Sequence, residues 1–412
     1  MESCLKCGQM DRRKFLKLMA IASAGAALPL SGAYGVLDKP NATIGTQVCL
    51  TGVKRGSEDR ILIEAVKNTA RAATDFSWLS RGDSVFIKPA SNSGNPYPAT
   101  TSSRGIKAVV ELLKEKGAGK VIVGDLSGVE YVKLMPEKLK GSSRELMQAS
   151  GMSKAALEAG AELYFPEEEG WEAFFEDEPA DSTYWKKTIM VPKILKEVDH
   201  LVLMPRCGRH LLLGSSLGMK SAVGYWRTDS RLEYHKFAST IQEKTADANT
   251  VKTLREKQRL VLTVGTKILT TYGPDKGFIS EPDTGLIIAS ENVVAHDMVS
   301  LAWLLKNRFA MSNEQMDRSK DPYKSQFAVN NVNRYVVMLL GGFGEALGAE
   351  KLVRNDLNTI WDDRVLNRAY EVFGGAPRVK LVDVEDSVPK ETIKKLSEMV
   401  LKENRVTESL TR

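Results

Sequence analysis

The feature that most constrains this chain is a strand, helix and second strand between residues 84 and 125. Residues 84–87 form a short apolar run ending in Lys88-Pro89, a small polar loop follows over 90–96, and a helical pattern over 102–116 closes at Gly117. A short unbroken apolar run reads as a buried strand, and a glycine just past a helix end readily takes the left-handed conformation of a C-cap. A second apolar run, 120–124, ends in Asp125. Two strands joined by a helix form a β-α-β unit, with parallel strands and a right-handed crossover. The fold class predicted is therefore α/β, a mostly parallel sheet with helices on both faces.

The same reasoning predicts further strands at 48–53, 162–165, 187–191, 201–204, 259–265, 285–289 and 378–383. Helices are predicted at 57–73 with Ser57 as N-cap, at 142–159 in two pieces broken at Gly151, and at 244–257, 292–305, 331–340 and 390–403. Pro192 suits the first position of a short helix, and 226–233 reads as a loop. The acidic stretch 167–181, with Trp171, Phe174 and Phe175 among its carboxylates, reads as a solvated insertion with a few anchoring aromatics or, alternatively, as a protein-binding patch.

The amino terminus has a different layout. Arg12, Arg13, Lys14 and Lys17 precede an apolar run over 16–30 and then small residues, the order of an export signal. The arginine pair resembles the twin-arginine type, although Asp11 stands where Ser or Thr is more usual. An uncleaved amphipathic anchor is the other reading. The first implies the twin-arginine export machinery as a partner and a periplasmic or cell-envelope location. Residues 1–35 would be the signal, 36–47 a linker, 48–310 an α/β core, and 311–412 a mainly helical extension with a late strand, packed on the core. No other stretch is long and apolar enough to span a bilayer, so no transmembrane helix is expected in the mature chain.

The net charge is +6, and the first 33 residues supply three of those charges. The remainder gives no reason to expect a nucleic-acid partner. Among four cysteines, Cys4 and Cys7 form a C-x-x-C with no second pair to complete a four-ligand site, so no iron–sulfur cluster is expected in the mature chain. Cys49 and Cys207 remain and could pair in an oxidising compartment.

Candidate chemistry concentrates between Asp199 and Tyr225. The run 201–204 reads as a buried strand, broken by Pro205 and followed by Arg206, Cys207, Arg209 and His210. An open α/β sheet offers its ligand crevice at the carboxyl ends of its strands. Small residues follow, with Ser215 and Ser216 before a helix start that carries Lys220, where backbone N–H groups could approach an anion. Lys88 and Lys220 could hold a carboxylate or phosphate as point charges, and Arg206 and Arg209 could clamp it, surface ion pairing being the bland alternative. His210 and His235, with Asp125 or Asp297, could share acid–base work or bind a divalent metal, against a plain structural role. His200 reads as structural and His296 as a helix-face residue. There is no P-loop or Rossmann glycine fingerprint.

Lys88-Pro89, the unit from Gly117-Ala118 to Gly124-Asp125, His210, Lys220, His235, Gly273-Pro274 with Gly277, and Asp297 occur in the order seen in one family. The chain resembles the domain of unknown function 362 family over roughly residues 48–305. It departs from the family pattern at Ala90, at Cys207 to His210, and at Met219-Lys220-Ser221. The resemblance implies an α/β fold with a shared polar cleft and brings no settled reaction.

The expectation is an exported α/β enzyme acting on a small anionic substrate, with His210, His235, Lys220 and Asp125 as catalytic residues. Lys88, Arg206, Arg209, Ser215 and Ser216 would bind substrate. His210, His235 and Asp297 would hold a divalent metal if one assists. The alternative is a non-catalytic envelope protein that binds a ligand, metal or cofactor for a redox partner.

Overall fold

The computed structural model describes residues 45–180, 182–318, 325–355 and 357–401. The signal, Cys4, Cys7 and most of the linker predicted above lie outside the described residues. Among these no helix is long and apolar enough to cross a membrane.

Eight strands form the main sheet: β1 (Thr46–Lys54), β2 (Ser84–Pro89), β3 (Lys120–Gly124), β4 (Glu162–Tyr164), β5 (His200–Met204), β6 (Gln258–Gly265), β7 (Thr284–Ser290) and β8 (Val379–Asp383). Their spatial order is β8-β1-β7-β6-β5-β2-β3-β4. Every pairing is parallel except those of β7, which runs against β1 and β6. The mostly parallel α/β expectation holds.

Strand alternation divides the core into two layers. Val85 and Ile87 of β2, with Val202 and Met204 of β5, pack on one face against helices Asp59–Ala73 and Ser103–Glu115. Phe86, Leu201 and Leu203 point to the other face, where helix Val293–Phe309 supplies Val299, Ala302 and Trp303. β5 is buried along its whole length, which explains why its sequence is apolar rather than alternating. Truncating a fully buried leucine such as Leu203 should cost about 2–5 kcal/mol through lost transfer energy and the cavity left behind.

Local interactions fix several element ends. The Ser102 hydroxyl accepts from the Gly105 N–H at one helix start, and the Asn292 side chain accepts from the Ala295 N–H at another. Gly117 and Gly151 take positive φ where the chain leaves or breaks a helix. The late strand 379–383 joins the main sheet at the edge beside β1.

Five expectations are corrected, one of them in part. The first helix has Glu58, not Ser57, at its N-cap. Pro192 ends strand Ile189–Pro192 rather than opening a helix. Residues 244–257 are divided between two short helices, Ile241–Asp247 and Lys252–Lys257. The acidic stretch is solvated only in part: Glu168, Glu169, Glu172, Glu176 and Glu178 are exposed, but Glu167 and Phe174 are buried, Phe174–Asp177 pairs with Ile189–Pro192, and the Arg227 guanidinium lies 4.3 Å from the Trp171 ring centre, so the aromatics anchor it as expected. Its aromatics are used inside the molecule. Finally, 226–233 is not a loop, because helix Thr228–Lys236 begins within it. That helix buries Ser230, Arg231, Glu233 and Tyr234, so its inward faces are polar and give no apolar period to detect.

Cys49 and Cys207 are free and buried, so the pairing considered above does not occur. Burial pushes their thiols up to about 11 and about 12, far from the thiolate form that reacts.

Candidate functional site

Three adjacent parallel strands, β5, β2 and β3, end side by side and deliver Arg206, Lys88 and Asp125 to one crevice. The crevice opens into a cavity of about 410 Å³, whose polar wall includes Lys88, Asp125, Arg206, His210, Lys220, Arg231 and His235. Leu211, Leu212, Val223, Val332, Val336 and Leu340 form an apolar wall opposite in character. Val332, Val336 and Leu340 recur every fourth residue on helix Gln326–Gly341, which places them on one face.

Lys88 and Asp125 satisfy each other. Lys88 Nζ lies 2.8 Å from Asp125 Oδ1 and donates to the Pro89 carbonyl at 2.7 Å, with both side chains almost fully buried. The Ser91 and Leu126 N–H groups each donate to the Asp125 carboxylate at 2.8 Å. Burial lowers the Lys88 pKa, while Asp125 opposes that shift. A side chain on Gly224 would meet Lys88 Nζ and Asp125 Oδ1 at 2.6 and 2.7 Å, so glycine is needed for this close approach. Arg231 is likewise committed, donating to the carbonyls of Leu126, Ser127 and Gly224.

Arg206 and Lys220 differ. Arg206 is buried and donates once, to the Pro274 carbonyl at 2.6 Å, while its Nε and Nη2 have no partner among the described residues. Lys220 Nζ makes neither an ion pair nor a hydrogen bond there. Burial, then the charges of Arg206, Lys88 and Arg231, lowers Lys220 to about 7, and burial lowers Arg206 to about 10. Asp275 lines the same cavity, yet it is engaged by Asn92 Nδ2 at 2.8 Å and by the Ser93 hydroxyl.

Strand alternation sorts the remaining candidates. Strands Gly208–His210 and Gly214–Ser216 pair antiparallel, with Arg209 opposite Ser215 and Gly208 opposite Ser216. Adjacent residues of a strand face opposite ways. His210 and Ser216 line the cavity, whereas Arg209 and Ser215 do not. Asp297 is also absent from its wall: its carboxylate accepts from the Gly218 and Met219 N–H groups, both at 2.8 Å, and lies 2.8 Å from His296 Nδ1. The anion at this helix start is thus Asp297 itself, which anchors the turn carrying Lys220. Beyond it, His296 is fully buried rather than on an open helix face, and His200 makes a 2.8 Å contact with Asp83.

The two cavity histidines are held by different partners. His210 Nδ1 accepts from the Leu212 N–H at 3.2 Å. His235 Nδ1 lies 3.0 Å from Asn333 Oδ1, while Asn333 Nδ2 donates to the His235 carbonyl at 2.9 Å. Burial, followed for His210 by the charge of Lys220, holds His210 well below its usual range and His235 at about 4. Both rings are therefore neutral near pH 7. With Asp297 placed elsewhere and Asp125 engaged by Lys88, these donors do not converge as a metal-ligating set. Among the described residues no group of three or more His, Cys, Asp and Glu is arranged to hold a metal ion.

Arg231, Asn333 and Asp275 were not singled out from the sequence. Arg231 stands one helical turn before His235, a signal that becomes visible once 228–236 is read as helix. Nothing local connects Asn333 to His235.

A family model described as Domain of unknown function (DUF362) matches residues 85–302, more than half of the chain. The chain belongs to the DUF362 family. Lys88, Asp125, Arg206, His210, Lys220, Arg231 and His235 all fall within the matched DUF362 region, whereas Asn333 and helix Gln326–Gly341 lie beyond it. No curated protein matches the chain. Among solved structures, a protein from Thermotoga maritima is 13% identical over 51% of each chain, with a TM-score of 0.31. This chain therefore spans about half the length of that protein. The lactate racemase apoprotein from Thermoanaerobacterium thermosaccharolyticum is 14% identical over 87% of this chain and 88% of its own, with a TM-score of 0.40. Both are distant likenesses of this DUF362 member.

Proposed function

We propose that this protein is an enzyme acting on a small anionic substrate, which it holds in the cavity between Arg206, Lys220 and the two histidines. The observation that carries this reading is that Arg206 is buried with Nε and Nη2 lacking a hydrogen-bond partner, and that half-buried Lys220 beside it has no bonded partner among the described residues, with Asp275 the one carboxylate whose charge favours the Arg206 guanidinium. A buried ammonium or guanidinium is costly unless paired, and a carboxylate or phosphate entering the cavity would supply the missing charge and the missing acceptors. The apolar wall favours an anion that also carries a small hydrocarbon part. Arg206 and Lys220 orient the charged group, and neutral His210 and His235 are available to accept or donate hydrogen bonds and to move a proton.

Calorimetric titration of the purified protein with phosphate and with short-chain carboxylates tests the reading, beside Arg206→Met. Saturable binding in the parent that is lost in the variant is expected. Equal binding in both would overturn the assignment, and binding without turnover across a substrate panel would favour a non-catalytic anion-binding protein.

Export belongs to the same proposal and rests on Arg12-Arg13 ahead of the apolar run 16–30. A reporter fused after residue 44 should reach the periplasm, and Arg12→Lys with Arg13→Lys should retain it in the cytoplasm.

A further inference from the structure

The cavity histidines have one ring nitrogen each committed to the protein, and the commitments are opposite. His210 Nδ1 accepts a backbone N–H, so in the neutral ring the proton sits on Nε2. For His235 the assignment runs through Asn333. The Asn333 amide donates from Nδ2 to the His235 carbonyl, which leaves Oδ1 as the atom facing His235 Nδ1. An amide oxygen only accepts, so Nδ1 carries the proton and Nε2 keeps its lone pair. Both residues line the cavity, with only Nε2 left for its contents.

We propose that the protein wires this pair as opposite tautomers, so that His235 acts as base toward the bound anion while His210 hydrogen-bonds the oxygen on which charge develops. The inference deepens the anionic-substrate reading and rests on it for the identity of the occupant. In the step, the His235 Nε2 lone pair takes a proton from the bound molecule, whose bond pair stays behind on that molecule. His210 Nε2–H hydrogen-bonds the oxygen that gains the charge and keeps its own proton, since losing it would leave an imidazolate. Return of the proton from His235 restores the neutral ring with no other reactant. Arg206 and Lys220 stabilise the added negative charge. Asn333 is a positioning residue: its oxygen fixes the tautomer of His235 and stabilises the imidazolium that forms.

The chain contains four histidines, which makes the test direct. His200 Nδ1 accepts from Arg259 and its Nε2 meets Asp83, while His296 Nδ1 meets Asp297, so each tautomer has an internal reference. Long-range proton–nitrogen correlation on histidine-labelled full-length protein near pH 7 should show two rings protonated at Nε2, His200 and His210, and two at Nδ1, His235 and His296. Single His→Gln variants assign the signals. Asn333→Leu should release His235 into a mixture of tautomers, and Asn333→Asp should restore Nδ1–H. The same tautomer on His210 and His235, a charged His235 at neutral pH, or an unchanged spectrum in Asn333→Leu would each overturn the proposal. Acetate and phosphate added to the same samples separate the two claims. If neither moves the His210 and His235 signals, the anion reading fails whatever the tautomers; if the tautomers are wrong while the anions shift them, only the wiring fails.

Discussion

The cavity contains two pairs of cations, three of them buried and Lys220 half-buried, held in different ways. Lys88 is paired with Asp125 and the Pro89 carbonyl, and Arg231 donates from both terminal nitrogens to three backbone carbonyls, its Nε alone having no partner among the described residues. Arg206 has two nitrogens without a partner, and Lys220 has none at all among the described residues. The difference teaches that position at a strand end does not decide a cation's role. Where hydrogen bonds and Asp125 engage the cation it braces the loops that follow β2 and β3; where donors are left over, the cation is the proposed contact for an anion.

The largest effect that would break this comparison concerns Asp125. Asp125→Ala should strand the Lys88 ammonium and free the Ser91 and Leu126 N–H groups, lowering stability by about 3–5 kcal/mol. Chemical denaturation measures it, and a loss below about 1 kcal/mol would mean that Lys88 is not braced as described. Arg206→Met should leave stability near the parent value and weaken anion binding roughly 30- to 100-fold, the equivalent of about 2–3 kcal/mol for a charged hydrogen-bonding partner.

Lys220 sharpens the contrast because it should act in opposite directions on binding and stability. Its pKa falls from 10.5 unfolded to about 7 folded, so the folded state binds the proton more weakly. The resulting penalty is full below pH 7 and fades as pH rises from 7 to 10.5. Lys220→Met should therefore stabilise the anion-free protein by on the order of 1 kcal/mol at pH 6, with the gain shrinking toward pH 10. In the parent, anion affinity should drop as pH rises through about 7, because the ammonium is lost; a flat profile from pH 6 to 8 would remove Lys220 from the contact. The smallest effect is a control outside the cavity. The Arg144–Glu168 pair is solvent-accessible, and Glu168→Ala should change stability by less than about 0.5 kcal/mol.

Much of the frame was legible because its signals are local. The apolar runs at 84–87, 120–124 and 201–204 and the caps at Ser102 and Asn292 can each be read within a few residues. Where reading failed, the buried surface was polar. Helix Thr228–Lys236 shows no apolar stripe because Arg231 and His235 face a cavity, and Glu167 sits buried inside a stretch that looks solvated by composition. Within the candidate site, alternation could have separated His210 from Arg209 and Ser216 from Ser215, had 208–216 been read as a hairpin. Asp297 could not be sorted that way, since its partners are backbone N–H groups 78 and 79 positions earlier in the chain.

By itself the sequence determined the α/β class, the order of the strands along the chain, and the small set of side chains able to carry chemistry. Tertiary structure alone decided which of those side chains meet, which lysine is neutralised, and, through Asn333, which nitrogen of His235 is free. The reason is one of range. Hydrophobic period and capping act over one or two turns, whereas charge compensation and tautomer choice depend on groups brought together from strands and helices far apart in the chain.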